Sequence, residues 1–208
     1  MDENIQVLDI VIPEETANVK LPAPDLVNYY KDYDNRCISI DFDIDDCLFE
    51  ATKQIMEYNR QDKDVPVEQR KPIRVYVMSY GGDLYQAYTF VSTVLASKTP
   101  VWTINMGVAM SAGLLILLAG HKRFAMKYST AMIHSGSGGA QGTYEQMEEQ
   151  QKNYKKLIDA MRSYIMERTN IDLKLFNKNK TKDWYITDTE QVELGIVDSI
   201  VSDLDEIL

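Results

Sequence analysis

The apolar run at positions 106–120 contains a single hydroxyl group, that of Ser111. Such a serine is either a small packing residue or a nucleophile, and a nucleophile needs a base within hydrogen-bonding distance. Only two histidines are present. His121 lies between a glycine and a lysine, which predicts a solvated turn, whereas His134 ends an apolar segment and precedes a glycine-rich stretch. Because α/β sheets place their sites where strands end, His134 is the better candidate base.

A hydrolytic site of this kind also needs a carboxylate that orients the base and two backbone N–H groups that bind an oxyanion. Many acidic residues could orient the base. Asp183 precedes an apolar Trp-Tyr-Ile cluster that is expected to draw it into the core. Ala112 follows Ser111 and offers one N–H group. The Gly81-Gly82 pair offers another, because glycine lets a backbone approach a ligand closely.

Other site types are disfavoured. The chain has no HExxH motif and no Cys/His cluster, so neither a metal nor another cofactor is expected. The glycine-rich stretch 135–142 lacks the spacing of a phosphate-binding loop. The G-x-S-x-G elbow of α/β-hydrolases is also missing, since positions 109–113 are AMSAG.

Length and composition describe one soluble globular domain. The 208 residues are 45% hydrophobic and carry a formal net charge of −10 without a basic cluster, which disfavours nucleic-acid binding. Two cysteines without a CxxC motif indicate a reducing compartment. No signal peptide opens the chain, and its longest apolar run is too short to span a bilayer. The expectation is a cytoplasmic protein that binds neither nucleic acid nor membrane.

The elements that must position these residues alternate along the chain, which predicts a parallel α/β core. Residues 1–35 are expected to form an extended arm with a short strand near 5–11, and the apolar run 106–120 is expected to form a buried helix that contains Ser111. The pattern at 143–169 predicts one long helix, polar in its first half, which could reach roughly 40 Å and project from the domain. The remaining strands are expected at 36–41, 73–78, 101–105, 122–127 and 129–134, and the remaining helices at 43–60 and 84–97.

Five short motifs are jointly specific in their order and spacing: SYGG at 79–82, GVAMS at 107–111, KRFA at 122–125, MIH at 132–134 and GGAQG at 138–142. Taken together, they resemble those of the proteolytic subunit of the Clp protease, a self-compartmentalising serine peptidase, over about residues 36–201. Asp183 falls where that family has the aspartate of its catalytic triad.

The resemblance implies a crotonase-like spiral of ββα units over residues 36–208, with a projecting handle at about 138–169. It implies a serine endopeptidase with Ser111, His134 and Asp183 as its catalytic residues. The family assembles as rings of seven that stack in pairs, encloses peptides or unfolded proteins, and works with an AAA+ ATPase. The remaining implied roles are oxyanion binding by Gly81 and Ala112, and substrate binding by Gly82, Gly138, Gly139, Ala140, Gln141 and Gly142.

This chain departs from the family pattern at several positions. Tyr80 replaces a proline, Ala112 replaces a methionine, and Lys182 stands where the family has an arginine of its inter-ring ion pairs. Residues 135–137 are SGS rather than Gln-Pro-Leu, and residues 1–35 do not match the axial-pore segment. Three alternatives therefore stay open: a peptidase that works without an ATPase, a ring-forming structural paralogue, and an acyl-CoA-handling crotonase relative.

Overall fold

A sheet of seven strands organises the chain in the computed structural model, which describes residues 24–208. Neighbouring strands follow the order β1-β2-β3-β4-β7, all parallel, while β5 pairs with β3 and β6 pairs antiparallel with β5. The mixed α/β architecture with a mainly parallel sheet is thus confirmed. The strands are β1 (Cys37–Ile40), β2 (Ile73–Ser79), β3 (Val101–Met110), β4 (Lys122–Ala125), β5 (Thr130–Ile133), β6 (Trp184–Thr187) and β7 (Ser199–Ile200).

Seven α-helices connect or flank these strands in the described part of the chain. The helix α4 is buried along its whole length and packs against β2, β3 and the helices α3 and α5, so it forms the centre of the core. The helices are α1 (Pro24–Asp34), α2 (Leu48–Gln61), α3 (Leu84–Ala96), α4 (Ala112–Ala119), α5 (Tyr144–Arg168), α6 (Leu173–Asn179) and α7 (Asp188–Glu193), with 3₁₀ turns at Val67–Gln69 and Leu204–Glu206.

The long strand β3 pairs with β2 along one edge and with two successive strands along the other. Its first half pairs with β4 from Trp102 to Asn105, and its second half pairs with β5 from Val108 to Met110. The prediction that the apolar run is helical from position 106 is therefore wrong for its first five residues. Small and apolar residues suit a buried strand as well as a helix, and pairing with the sequence-distant strands β2 and β5 decides between them.

Two further expectations differ from the structure. Pro24–Asp34 forms α1 where an extended arm was expected, because a proline is well suited to the first turn of a helix. Residues 1–23 of the predicted arm, including its strand, lie outside the described residues. The helix expected at 43–60 begins only at Leu48. The residues before it form a bridge between Ile44 and Gly82 instead.

Helix α5 agrees with its prediction to within one residue at each end. A capping box fixes its start: the Thr143 hydroxyl accepts from the Gln146 N–H, and the Gln146 side chain accepts from the Thr143 N–H. Only Met161 and Ile165 are buried, both in its second half. None of the helices within residues 24–208 is both long and apolar enough to cross a bilayer.

Candidate active site

Ser111 occupies the turn between β3 and α4 with φ 52° and ψ −120°. A positive φ strains any residue with a side chain, and such strain persists only where the surroundings enforce it. Here the Ser111 N–H donates to the Met132 carbonyl at 3.0 Å, and its own carbonyl accepts from the Leu114 N–H at 3.1 Å. The turn has the strand-to-helix form of a nucleophile elbow although the G-x-S-x-G motif is absent.

Glycines next to this turn allow close backbone approach. A Cβ atom on Gly113 would lie 2.9 Å from the Ser79 carbonyl oxygen. Gly81 has φ +109°, and a Cβ there would lie 2.7 Å from Ser111 Cβ. Gly82 has φ +145°, and a Cβ atom added there would collide with the Ile44 carbonyl in the same way. The structure therefore brings the predicted Gly81-Gly82 turn directly against Ser111.

His134 lies beside Ser111 because of strand register. Met110 at the end of β3 pairs with Met132 of β5, so the residues that follow each strand are neighbours. The Nε2 atom of His134 is 2.7 Å from Ser111 Oγ. The hydroxyl can donate to this nitrogen when the neutral imidazole carries its proton on Nδ1.

Asp183 is placed by the antiparallel pairing of β5 with β6. Ile133 pairs with Trp184, so the next pair beyond the ladder is His134 and Asp183. Asp183 Oδ1 is 3.9 Å from His134 Nδ1, which is too long for a hydrogen bond but close enough for a charge interaction. The three predicted side chains thus lie in a row across the ends of three neighbouring strands.

The expected burial of Asp183 is wrong, since its side chain is 56% exposed. Successive residues of a strand point to opposite faces. In β6 only Ile186 is buried, whereas Tyr185 is exposed. The apolar cluster after Asp183 therefore anchors the strand without drawing the carboxylate into the core.

The two predicted oxyanion donors differ in whether their N–H groups already have a hydrogen-bond acceptor. Within residues 24–208, the Ala112 N–H has no hydrogen-bond partner, and it lies at the positive end of the α4 dipole. The Gly81 N–H donates to Ser79 Oγ at 3.2 Å, and Ser79 Oγ donates to the Phe42 carbonyl at 2.7 Å. An oxyanion at this site could use Ala112 directly, but it would have to replace Ser79 Oγ as the acceptor for Gly81.

A cavity of about 180 Å³ opens beside Ser111 and His134. The side chains that line this cavity could not be predicted from the sequence. Helical spacing marks Tyr154 and Met161 as apolar positions of α5, but it does not show which cavity a long helix covers. The further lining residues are Tyr80, Gly82, Leu84, Met132, Gly136 and Ser137.

The predicted substrate-binding segment 138–142 forms no strand in this structure and does not line that cavity. Gly138, Gly139 and Ala140 instead line a second cavity of about 290 Å³ under α5. The Gln141 backbone exchanges two hydrogen bonds with the Gln150 side chain, at 3.2 and 3.1 Å. Gly142 has φ +142° and leads into the helix.

His121 takes a structural position away from this site. Part of His121 is exposed to solvent, as a solvated turn predicts, but the Nδ1 side of its ring accepts from the Val101 N–H at 2.9 Å. Burial of the ring, followed by the nearby charge of Arg168, lowers the pKa of His121. The ring is thus kept neutral as a backbone acceptor.

Comparison with known proteins agrees with this fold. The family described as "Clp protease" matches residues 28–203. The "ATP-dependent Clp protease proteolytic subunit 2" of Treponema pallidum is 31% identical over 133 residues, which is 63% of this chain and 67% of the relative. The subunit of the same name from Treponema denticola is 33% identical over 139 residues, or 66% and 70% of the two chains.

A third relative, the "ATP-dependent Clp protease proteolytic subunit" of Deinococcus radiodurans, is 31% identical over 131 residues. That match covers 62% of this chain and 64% of the relative. The family match alone spans nearly the whole described chain. The chain therefore belongs to the Clp protease family.

Proposed function

We propose that this chain is a serine endopeptidase subunit that hydrolyses peptides and unfolded proteins. The observation that carries the proposal is the 2.7 Å contact between Ser111 Oγ and His134 Nε2 at a strained strand-to-helix turn. A serine kept at positive φ beside an imidazole has a geometry that packing alone does not require.

In the proposed reaction, Ser111 Oγ attacks the scissile carbonyl while His134 Nε2 accepts its proton. His134 then donates that proton to the leaving amine, and an acyl-enzyme remains on Ser111. Water, activated by the same imidazole, attacks this ester, and the proton returns to Ser111 as the acid product leaves. Asp183 stabilises the imidazolium by charge across 3.9 Å.

The developing oxyanion would bind the N–H groups of Ala112 and Gly81. Because the Gly81 N–H is held by Ser79 Oγ, this donor changes its acceptor during the reaction. One oxyanion donor typically contributes about 3 kcal/mol to transition-state stabilisation. Gly82 and the segment 138–142 would bind the substrate backbone by strand addition, which requires Gln141 to release its bonds to Gln150.

The family relationship supports an assembly of seven-membered rings that pair around an inner chamber. The relatives named above are described as ATP-dependent, which supports an AAA+ ATPase as the partner that delivers unfolded chains. This partnership can be tested separately, by measuring degradation of a folded protein with and without a Clp ATPase and ATP. Equal rates in both conditions would instead favour a peptidase that works alone.

The Ser111→Ala variant tests the chemistry. We expect it to lower kcat for a fluorogenic peptide by at least about 10⁴-fold and to abolish labelling by a fluorophosphonate, because the nucleophile is removed. Ser92→Ala is the matched control, since this exposed serine lies on α3 away from the site, and it should keep full activity. A Ser111→Ala protein with unchanged hydrolysis would refute the assignment.

A further inference from the structure

Among residues 24–208, Tyr154 alone lines both cavities described above. The cavity of about 180 Å³ adjoins Ser111 and His134, and the cavity of about 290 Å³ lies under the segment that contains Gly138. The two spaces are thus neighbours along α5, with the Tyr154 side chain between them.

Two glycines leave the space that this side chain occupies. A Cβ atom on Gly136 would lie 2.6 Å from the Tyr154 hydroxyl oxygen, and one on Gly138 would lie 3.2 Å from ring atoms. Gly136 also has φ +81°, which disfavours any other residue there. The ring is therefore packed between α5 and the backbone of the glycine-rich segment.

The hydroxyl group of Tyr154 does not explain this position. Its oxygen is buried, and no hydrogen-bond partner is found for it in the part of the chain that the structure describes. A tyrosine kept for its hydrogen bond would normally have a partner when buried. The contribution of this residue is accordingly the shape of its ring.

The size of the cavity beside Ser111 limits which substrate side chain can enter it. A protein cavity of about 150 Å³ holds a benzene molecule. The space beside Ser111, about 180 Å³, is of similar size, so it matches a leucine side chain or a single ring better than a bicyclic indole. The wall combines polar groups around Ser111 and His134 with the apolar side chains of Leu84, Met132 and Met161, against which an apolar guest would pack.

We propose that the ring of Tyr154 forms the end wall of the pocket for the residue on the amino side of the cleaved bond, and that it restricts this residue to aliphatic or single-ring side chains. The inference rests on the proposed peptidase function. Removal of the wall would join the two cavities and admit an indole.

The experiment compares two fluorogenic peptides that differ only in leucine or tryptophan before the cleaved bond. The wild-type protein should hydrolyse the leucine peptide faster. Tyr154→Ala should raise the ratio of kcat/KM for tryptophan over leucine by at least about tenfold, since apolar pockets discriminate by factors of this order. Tyr154→Leu should shift the ratio in the same direction and retains more packing if the alanine variant does not fold.

Two control variants isolate the ring. Tyr154→Phe keeps the wall and removes the hydroxyl, so its ratio should equal that of the wild type. Tyr144→Ala makes the same substitution at an exposed position of α5 and should also leave the ratio unchanged.

The possible failures are distinguishable. An unchanged ratio in both Tyr154→Ala and Tyr154→Leu, or an equal shift in Tyr154→Phe, would overturn the role of the ring while Ser111-dependent hydrolysis persists. Hydrolysis of neither peptide by the wild-type protein, without fluorophosphonate labelling, would overturn the peptidase function itself and this inference with it.

Discussion

The contacts of His134 are unequal on its two sides. Nε2 is within hydrogen-bonding distance of Ser111, whereas Nδ1 is 3.9 Å from the exposed carboxylate of Asp183. The His134 ring is therefore within hydrogen-bonding distance of the proposed nucleophile, whereas the Asp183 carboxylate interacts with the ring only through charge. This arrangement predicts that the three residues contribute unequally to the rate.

We expect Asp183→Ala to lower kcat for a fluorogenic peptide by about 10²-fold, far less than Ser111→Ala. Two charges near 4 Å apart interact by about 1 to 4 kcal/mol between bulk water and a protein surface, which is a factor of about 10 to 10³ in rate. Asp183→Asn should show a similar loss of kcat, because the negative charge of the carboxylate is what stabilises the imidazolium. An Asp183→Ala protein with wild-type kcat would mean that the carboxylate has no part in the reaction.

At the scale of residues, the sequence could predict the approach of His134 to Ser111 because only two histidines compete for the role. The length of the contact to Asp183 could not be predicted, since it depends on where strand β6 begins and which face each residue takes. Tyr154 was also beyond prediction, because a tyrosine at helical spacing is most often an ordinary packing residue.

At the scale of elements, a buried ion pair ties the end of α2 to the start of β1. The Arg36 guanidinium donates to both carboxylate oxygens of Asp62, each at 2.6 Å, and the Thr99 hydroxyl donates to the same carboxylate at 2.8 Å. The hydrogen bonds from Arg36 lower the pKa of Asp62 below its ordinary value of 3.8, with burial opposing them.

We expect Asp62→Ala to lower the free energy of unfolding by about 3 kcal/mol at neutral pH, because it leaves the Arg36 charge buried without its partner. The folded-state pKa of Asp62 lies below the unfolded value, so this stabilisation is complete above pH 3.8 and is lost as pH falls through the folded value. The difference between wild type and variant should therefore shrink below pH 3.8.

Urea unfolding across a pH series measures this effect. Glu50→Ala is the control, because it removes an exposed carboxylate paired with Lys53, and such pairs contribute at most about 1 kcal/mol. A loss in Asp62→Ala that stayed constant from neutral to acid pH would contradict the role of the ionised pair.

Element boundaries could be predicted wherever local signals decide them. Helix α5 has a capping threonine and a long periodic pattern, and its prediction holds to within one residue at each end. The end of β3 has no local signal, because the run from Gly107 to Met110 is a strand only through its pairing with the distant strands β2 and β5. The Ser111 elbow depends on that same pairing, so its strained conformation could not be inferred from the sequence.

At the scale of the whole molecule, the first half of α5 is largely exposed, apart from the contacts of Tyr154 and Gln150 with the glycine-rich segment. Its buried residues, Met161 and Ile165, lie in the second half. The first half has exposed ion pairs such as Lys152 with Glu148 and Glu149, at 3.2 and 3.0 Å. A polar helix surface of this kind suits a contact with a second ring made through charges rather than through an apolar interface.

We therefore expect the proposed pairing of rings to weaken with salt. At 1 M ionic strength the Debye length falls to about 3 Å, so exposed charge contacts are screened. Light scattering should show paired rings at low salt and single seven-membered rings at high salt. Lys182→Arg should raise the salt concentration needed for this transition, because a guanidinium binds a carboxylate with two parallel hydrogen bonds and an ammonium does not. A mass that stayed constant up to 1 M salt, or a transition that did not move in Lys182→Arg, would show that the rings are held together by other contacts.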